Sequence, residues 1–274
     1  MNLAFIGGGN MAHAMLGGMQ AAGMVTASMH VLEPDAAKGA ELAQAFGVTA
    51  HEQPGDWLQA AEVIVLAIKP QYAREAVAAV VPFLGAPLTI SIIAGVRGAT
   101  LARWLGHQRI VRAMPNTPAL IRAGITGAVA LPEVSSSQHD RADRILRSIG
   151  KVLWFKDEAM LDPVNAISGS GPGYVFYFIE ALQQAARELG LPEEEGRLLA
   201  VETFLGAARL AEHSRDPVAL LRERVTSKGG TTAAALARFE SDGVRAGIVA
   251  GVRAACERAA EMGRQFDADS PQKE

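Results

Sequence analysis

With 274 residues, the chain is long enough for two domains or one large one. Its 26 basic against 29 acidic side chains, net −3, leave no basic excess to hold nucleic acid. The single cysteine, Cys256, excludes an internal disulfide and any multi-cysteine zinc site, and it fits a reducing compartment. It falls in a helix-like run and reads as a small buried hydrophobe.

Met1 leads almost at once into an apolar strand over 3–6 and the turn Gly7-Gly8-Gly9-Asn10-Met11-Ala12, which opens a helical run. In this G-x-G-x-x-A pattern the first glycine makes a tight turn and the second lets backbone approach a pyrophosphate. The third position must be small so that the helix packs on the strand. Alone the pattern is weak, and a glycine-rich loop of another α/β domain is the plain alternative. The context favours a dinucleotide site, because a second strand over 29–32 ends in Glu33, twenty-one residues after Ala12, where a ribose-binding acid is expected. No basic region precedes the apolar start and glycines interrupt it, so it is not read as a secretory signal.

A third strand over 63–68 breaks at Lys69-Pro70. Ligands of a doubly wound sheet lie beyond the carboxyl ends of its strands, which makes Ala67, Ile68, Lys69 and Pro70 cofactor candidates. Lys69 is a phosphate or carboxylate partner there, or an ordinary strand-end lysine. The strand over 88–93 runs into Ala94-Gly95, a further strand end of the same kind. After a strand over 110–113, two prolines bracket Asn116-Thr117 in a rigid turn. Pro115, Asn116 and Thr117 are therefore cofactor candidates, with the asparagine suited to a carboxamide or ribose. Strands over 126–131 and 152–155 complete the set.

Beyond Asp162 the strands stop. Helices are expected over 174–189, 198–210, from Asp216-Pro217, over 232–239 and over 244–262, with a polar, frayed tail from Phe266. The first of these is apolar almost all round at its start and fits a helix that completes its core with a second copy, or the centre of a monomeric bundle. The longest apolar runs, 63–68 and 174–179, are too short to span a bilayer, so a cytoplasmic protein without membrane contact is expected. The fold class is α/β: a Rossmann-type doubly wound sheet over 1–158, then an all-helical domain over 159–274.

Two glycine-led helix starts stand out. Ile-Ser-Gly-Ser-Gly-Pro-Gly-Tyr (167–174) reads as an anion site at a helix N-terminus, or as capping and a hinge. Val-Thr-Ser-Lys-Gly-Gly-Thr-Thr (225–232), directly before a run of helix formers, is the stronger signal. Gly229 and Gly230 let the backbone turn, the first helical amides converge on one spot, and Ser227, Thr231 and Thr232 add hydroxyls for a carboxylate or a ring nitrogen. An N-capped helix after a flexible loop is the alternative.

Together GGGNMA, AIKPQ, IAGV, MPNTPAL, SGSGPGY and VTSKGGTTAAALARFE resemble the pyrroline-5-carboxylate reductase family, in that order and as far as about Met262. The resemblance implies an N-terminal Rossmann domain and a helical dimerisation domain. It also implies a homodimer often built into a higher homo-oligomer, with the substrate site near the dimer interface. The implied reaction is hydride transfer from NADPH or NADH to the C=N carbon of 1-pyrroline-5-carboxylate, giving L-proline in the last step of its synthesis. Thr232 is then the partner of the ring nitrogen. Ser227 and the amides of Gly230, Thr231 and Thr232 hold the carboxylate. A protonated iminium is electrophilic by itself, so no metal is expected, and the six histidines are scattered without metal spacing.

The chain departs from the commoner family pattern at three positions. Lys228 stands where many members have proline, Gly173 where alanine is more usual, and Glu33 at the ribose favours NADH over NADPH. Lys38 and nearby arginines are the residues that can still accept a phosphate. A dehydrogenase of β-hydroxyacids on the same plan is expected to carry a lysine on its long helix, yet residues 174–224 contain none. The pattern is also compatible with a non-catalytic nucleotide-binding protein, or with a reductase of six-membered cyclic imines.

Overall fold

The computed structural model describes residues 1–24 and 28–268. Eight strands form one sheet: β1 (Asn2–Ile6), β2 (Ser28–Leu32), β3 (Thr49–His51), β4 (Val63–Leu66), β5 (Leu88–Ser91), β6 (Ile110–Met114), β7 (Gly124–Ala130) and β8 (Gly150–Trp154). Their order is β3-β2-β1-β4-β5-β6-β7-β8. All pairs are parallel except β6 with β7. The strands at the centre are short apolar runs because both faces are covered; every residue of β4 and β5 is buried.

One face carries α1 (Asn10–Ala21), α2 (Ala36–Phe46) and α5 (Ser136–Arg147), whose Met15, Leu42 and Ile145 meet Phe5, Val65 and Ile90. The other carries α3 (Ala73–Val80) and α4 (Gly98–Leu105), whose Val77 and Leu101 meet Ile6, Ile64 and Leu66. This is the doubly wound sheet expected from the alternation of strands and helix-like segments.

Register places Leu32, Ile6, Leu66, Ser91 and Arg112 on one rung, the last of the parallel region for β1, β2, β4 and β5. The expected cofactor residues Gly7, Glu33 and Ala67 follow that rung directly. Strands β4 and β5 end two residues earlier than expected, so Ala67, Ile68, Ile92 and Ile93 lie in the loops.

Packing divides the chain into two compact units, Met1–Ser170 with the chain from Ala255 on, and Gly171–Ala254. By packing, the first unit runs on through Ser170, because helix α6 (Leu161–Val164) lies on the sheet. Leu161 packs with Met114 and Val129, and a Cβ on Gly127 would lie 2.7 Å from Val164. The second unit holds α7 (Gly171–Glu188), α8 (Glu193–His213), α9 (Val218–Arg224), α10 (Thr231–Ser241) and the start of α11 (Val244–Ala268). Helices α7 and α8 form a hairpin whose close approach is set by small residues: a Cβ on Gly196 would lie 2.8 Å from that of Ala186.

Few side chains of this unit are buried in a single copy, and Phe176, Tyr177, Leu198 and Leu199 are exposed. A helical unit with so much bare apolar surface is built to be covered by another subunit. Phe266, expected to open a frayed tail, instead lies in α11 and packs on the α3–α4 core; residues 269–274 lie outside the described residues.

Candidate active site

The loop from β1 to α1 has the features a pyrophosphate needs. Gly7 has φ +98°, and a Cβ there would sit 2.6 Å from Ala67 O, so both the turn and the neighbouring strand end demand glycine. A Cβ on Gly9 would meet nothing within 4 Å, which leaves the backbone open on the side a ligand must approach. Ala12 is fully buried beneath α1. The first ladder bond of α1 runs from His13 N to Gly9 O, so the amides of Asn10, Met11 and Ala12 precede the ladder. No side chain caps this helix and its first turn contains no acid, so the positive end of its dipole is left for an anion.

Glu33 is held in place. Its Oε2 accepts from Gly8 N at 2.9 Å and its Oε1 from Asp35 N at 3.1 Å. Asp35 caps α2, and the Lys38 amide chiefly, with its ammonium and the Ala37 amide, holds the carboxyl below its ordinary range. Lys38 Nζ lies 3.4 Å from Asp35 Oδ2, so the one lysine near Glu33 in sequence is already paired with a neighbouring acid.

The remaining expected cofactor residues occupy loops at the same edge. Lys69 is exposed where a short 3₁₀ turn begins at Pro70. Ala94 packs beside Met114 and Leu161, and Gly95 takes φ +79° against Met262 of α11, 3.1 Å from the position of its Cβ. Pro115 is buried and Thr117 exposed.

Asn116 makes two bonds within the protein. Its Oδ1 accepts from Ile125 N at 2.9 Å and its Nδ2 donates to Ser168 O at 3.1 Å, leaving one N–H for any ligand. The side chain staples the proline turn to β7 and to the helical turn that follows α6. In the Ser-Gly-Ser-Gly segment, α6 passes into a π-helical turn at Asn165–Gly169, in which Ser170 N donates to Asn165 O.

In the second unit, Ser227–Thr232 forms the expected turn and helix start. Gly230 N donates to Ser227 O at 3.0 Å, so this amide is taken by the turn. The first ladder bond of α10 runs from Ala234 N to Gly230 O, which leaves the amides of Thr231, Thr232 and Ala233 at the cradle. Gly229 turns the chain at φ +72°, and Ser227 Oγ lies over the helix start, 2.5 Å from where a Cβ on Gly230 would be. No side chain caps α10 and its first turn holds no acid.

Two features carried no sequence signal. Arg112, buried in the middle of β6, pairs with Glu158 at 2.6 Å. His30, His51 and Trp57 stack at the far edge, where burial first and His30 second push the His51 imidazole below its usual pKa.

A Rossmann-type sheet with an open glycine turn and a fixed acid after β2, followed by a helical unit with bare apolar surface, defines a class: two-part, nicotinamide-dinucleotide-dependent oxidoreductases. Residues 158–262 match the family described as pyrroline-5-carboxylate reductase dimerisation, and residues 2–95 one described as NADP oxidoreductase, coenzyme F420-dependent. The chain is 41% identical over 266 residues to the pyrroline-5-carboxylate reductase of Pseudomonas aeruginosa, covering 96% of this chain and 97% of the relative. The solved structure of such a reductase from Coxiella burnetii superposes with TM-score 0.87 at 39% identity, covering 95% and 98% of the two chains. That of the Plasmodium falciparum enzyme with NADP bound gives 0.86 at 29% identity, covering 96% and 98%. The chain belongs to the pyrroline-5-carboxylate reductase family.

Proposed function

We propose that this protein reduces 1-pyrroline-5-carboxylate to L-proline, with the carboxylate held at Ser227–Thr232 and the dinucleotide at the carboxyl edge of the sheet. The observation that carries the residue assignment is the start of α10, where three amides precede the helical ladder with no side-chain cap and no first-turn acid. A carboxylate satisfies those amides and the helix dipole together. Ser227 adds a hydroxyl to the same anion. Gly229 and Gly230 shape the turn, with the Gly230 amide fixing its geometry rather than donating to substrate. Thr232 supplies the hydroxyl for the ring nitrogen and keeps the iminium oriented.

On the sheet, Gly7, Gly8, Gly9, Asn10, Met11 and Ala12 receive the pyrophosphate, and Glu33 accepts from the adenosine ribose. Ala67, Ile68, Lys69, Pro70, Ala94, Gly95, Pro115, Asn116 and Thr117 line the loops beyond. The bound reduced nicotinamide supplies the hydride. The residues named here orient the reactants and contribute no acid of their own, a role that proximity alone makes worth several kcal/mol. Glu33 supports a preference for NADH. The bare helical unit supports a dimer that assembles further, and a cytoplasmic setting fits the free thiol.

Thr232→Val tests the assignment. Loss of a hydrogen bond to a charged nitrogen, about 1.5–3 kcal/mol, should lower kcat roughly ten- to hundredfold while the Kd for the cofactor stays nearly constant. Wild-type kcat in this variant refutes the role of Thr232.

A further inference from the structure

We propose that Glu158 is a positioning residue. Through one carboxylate oxygen it fixes both the loop carrying Ala94 and Gly95 and the strand that delivers Pro115, Asn116 and Thr117. This rests on the proposal above that those two loops face the nicotinamide. Glu158 Oε1 accepts from Arg112 Nη1 at 2.6 Å and from Gly98 N at 2.6 Å. Gly98 is the first residue of α4, and that helix has no side-chain cap from its own N-cap residue, Arg97. The acceptor for its first turn therefore comes from Glu158, sixty residues away in sequence.

The approach is tight. A Cβ on Gly98 would lie 2.8 Å from Leu131 Cδ1 and 3.2 Å from the Glu158 oxygen, so glycine is what lets the carboxylate reach the amide. Arg112 shares the last rung of the parallel region with Ile6, Leu66 and Ser91, and its side chain is only 6% exposed, so its charge has to be met inside the protein. Glu158 meets it in the middle of β6, where pairing with β5 ends and pairing with β7 carries the strand on to Met114 and the proline turn. One oxygen thus ties the start of α4, four residues after Ala94, to the middle of β6, four residues before Asn116. Displacing it releases both loops together, whereas the glycine turn and Glu33 at the other end of the dinucleotide site keep their own bonds.

The test uses the full chain and compares Glu158→Ala, Glu158→Gln and Arg112→Met with wild type. The readouts are kcat and KM for NADH and the imine, the Kd for ADP-ribose as a probe of the adenosine end, and melting temperature. A misplaced nicotinamide should lower kcat in Glu158→Ala by about ten- to hundredfold, with the ADP-ribose Kd within about twofold of wild type. Glu158→Gln, whose amide oxygen can still accept from Gly98 N, should recover a large part of the loss. A merely structural role lowers the melting temperature but leaves kcat at wild type well below the transition, and that result overturns the proposal.

Glu133→Gln is the control. Glu133 caps Gln108 N at 3.0 Å, before β6 begins, and its loss should leave kcat unchanged. If Glu158→Ala does not fold, Arg112→Met must show the same split, and wild-type kcat in that variant overturns the proposal. Should the wild-type chain not reduce the imine, the function proposed above fails separately. Glu158 is then judged on the emission of bound NADH, which must differ between wild type and Arg112→Met; identical emission overturns it.

Discussion

Exchange of Glu33 is the sharpest perturbation of cofactor choice that the structure offers. Its carboxylate is pinned at the end of β2 by Gly8 N and Asp35 N, so it cannot swing away from a 2′-phosphate without giving up both bonds. The nearby cation, Lys38, is paired with Asp35 and supplies little net attraction. Two unit charges about 4 Å apart interact by about 1 kcal/mol in bulk water and about 4 kcal/mol near a protein surface. Glu33 is partly exposed, and a phosphate carries more than one charge, so a net repulsion of about 2–3 kcal/mol is expected, roughly thirty- to hundredfold in affinity. Glu33→Ser should therefore raise kcat/KM for NADPH relative to NADH by about that factor, measured with both cofactors at fixed imine. Part of the change reflects the lost partner of Gly8 N. Glu33→Gln, which keeps an acceptor for Gly8 and loses only the charge, separates the two effects and should retain most of the shift. An unchanged cofactor ratio in both variants refutes the placement of the ribose at the end of β2.

Two further outcomes follow from buried polar groups. Asn116→Asp keeps the acceptor for Ile125 N but turns an oxygen toward Ser168 O, and should cost about 1–3 kcal/mol of stability with only a small change in cofactor Kd. A large rise in Kd at unchanged melting temperature would make Asn116 a cofactor ligand instead of a staple. Thr89 is fully buried in β5 and its hydroxyl has no hydrogen-bond partner, so Thr89→Val should stabilise by about 1 kcal/mol, read as a rise of roughly 2–4 °C in Tm. A fall in Tm refutes that expectation.

Much of this molecule was legible in its sequence, and the rest was hidden for identifiable reasons. Seven strands announced themselves as mostly apolar runs of four to six residues, because strands covered on both faces must be apolar. Strand β3 did not, since Thr49-Ala50-His51 has no apolar run and is held by its pairing with β2. The open side of Gly9 and the uncapped start of α10 were readable because glycines before helix formers have few other uses.

The π-helical turn at Asn165–Gly169 was not readable, because its serine- and glycine-rich composition suggests a loop before a helix start. The second bond of Asn116 and the tie from Glu158 to Arg112 and Gly98 join residues 46 to 60 positions apart. Only the folded topology brings such partners together. Glutamate at 158 looks like any first-turn acid until the buried guanidinium beside it is seen.

The most direct test follows the loss of reduced-nicotinamide absorbance when the purified chain meets 1-pyrroline-5-carboxylate, with proline assayed at the end. Stoichiometric conversion to proline, faster with NADH than with NADPH and faster than with the six-membered imine, is the predicted result. Tight binding of the dinucleotide without oxidation by either imine would contradict it.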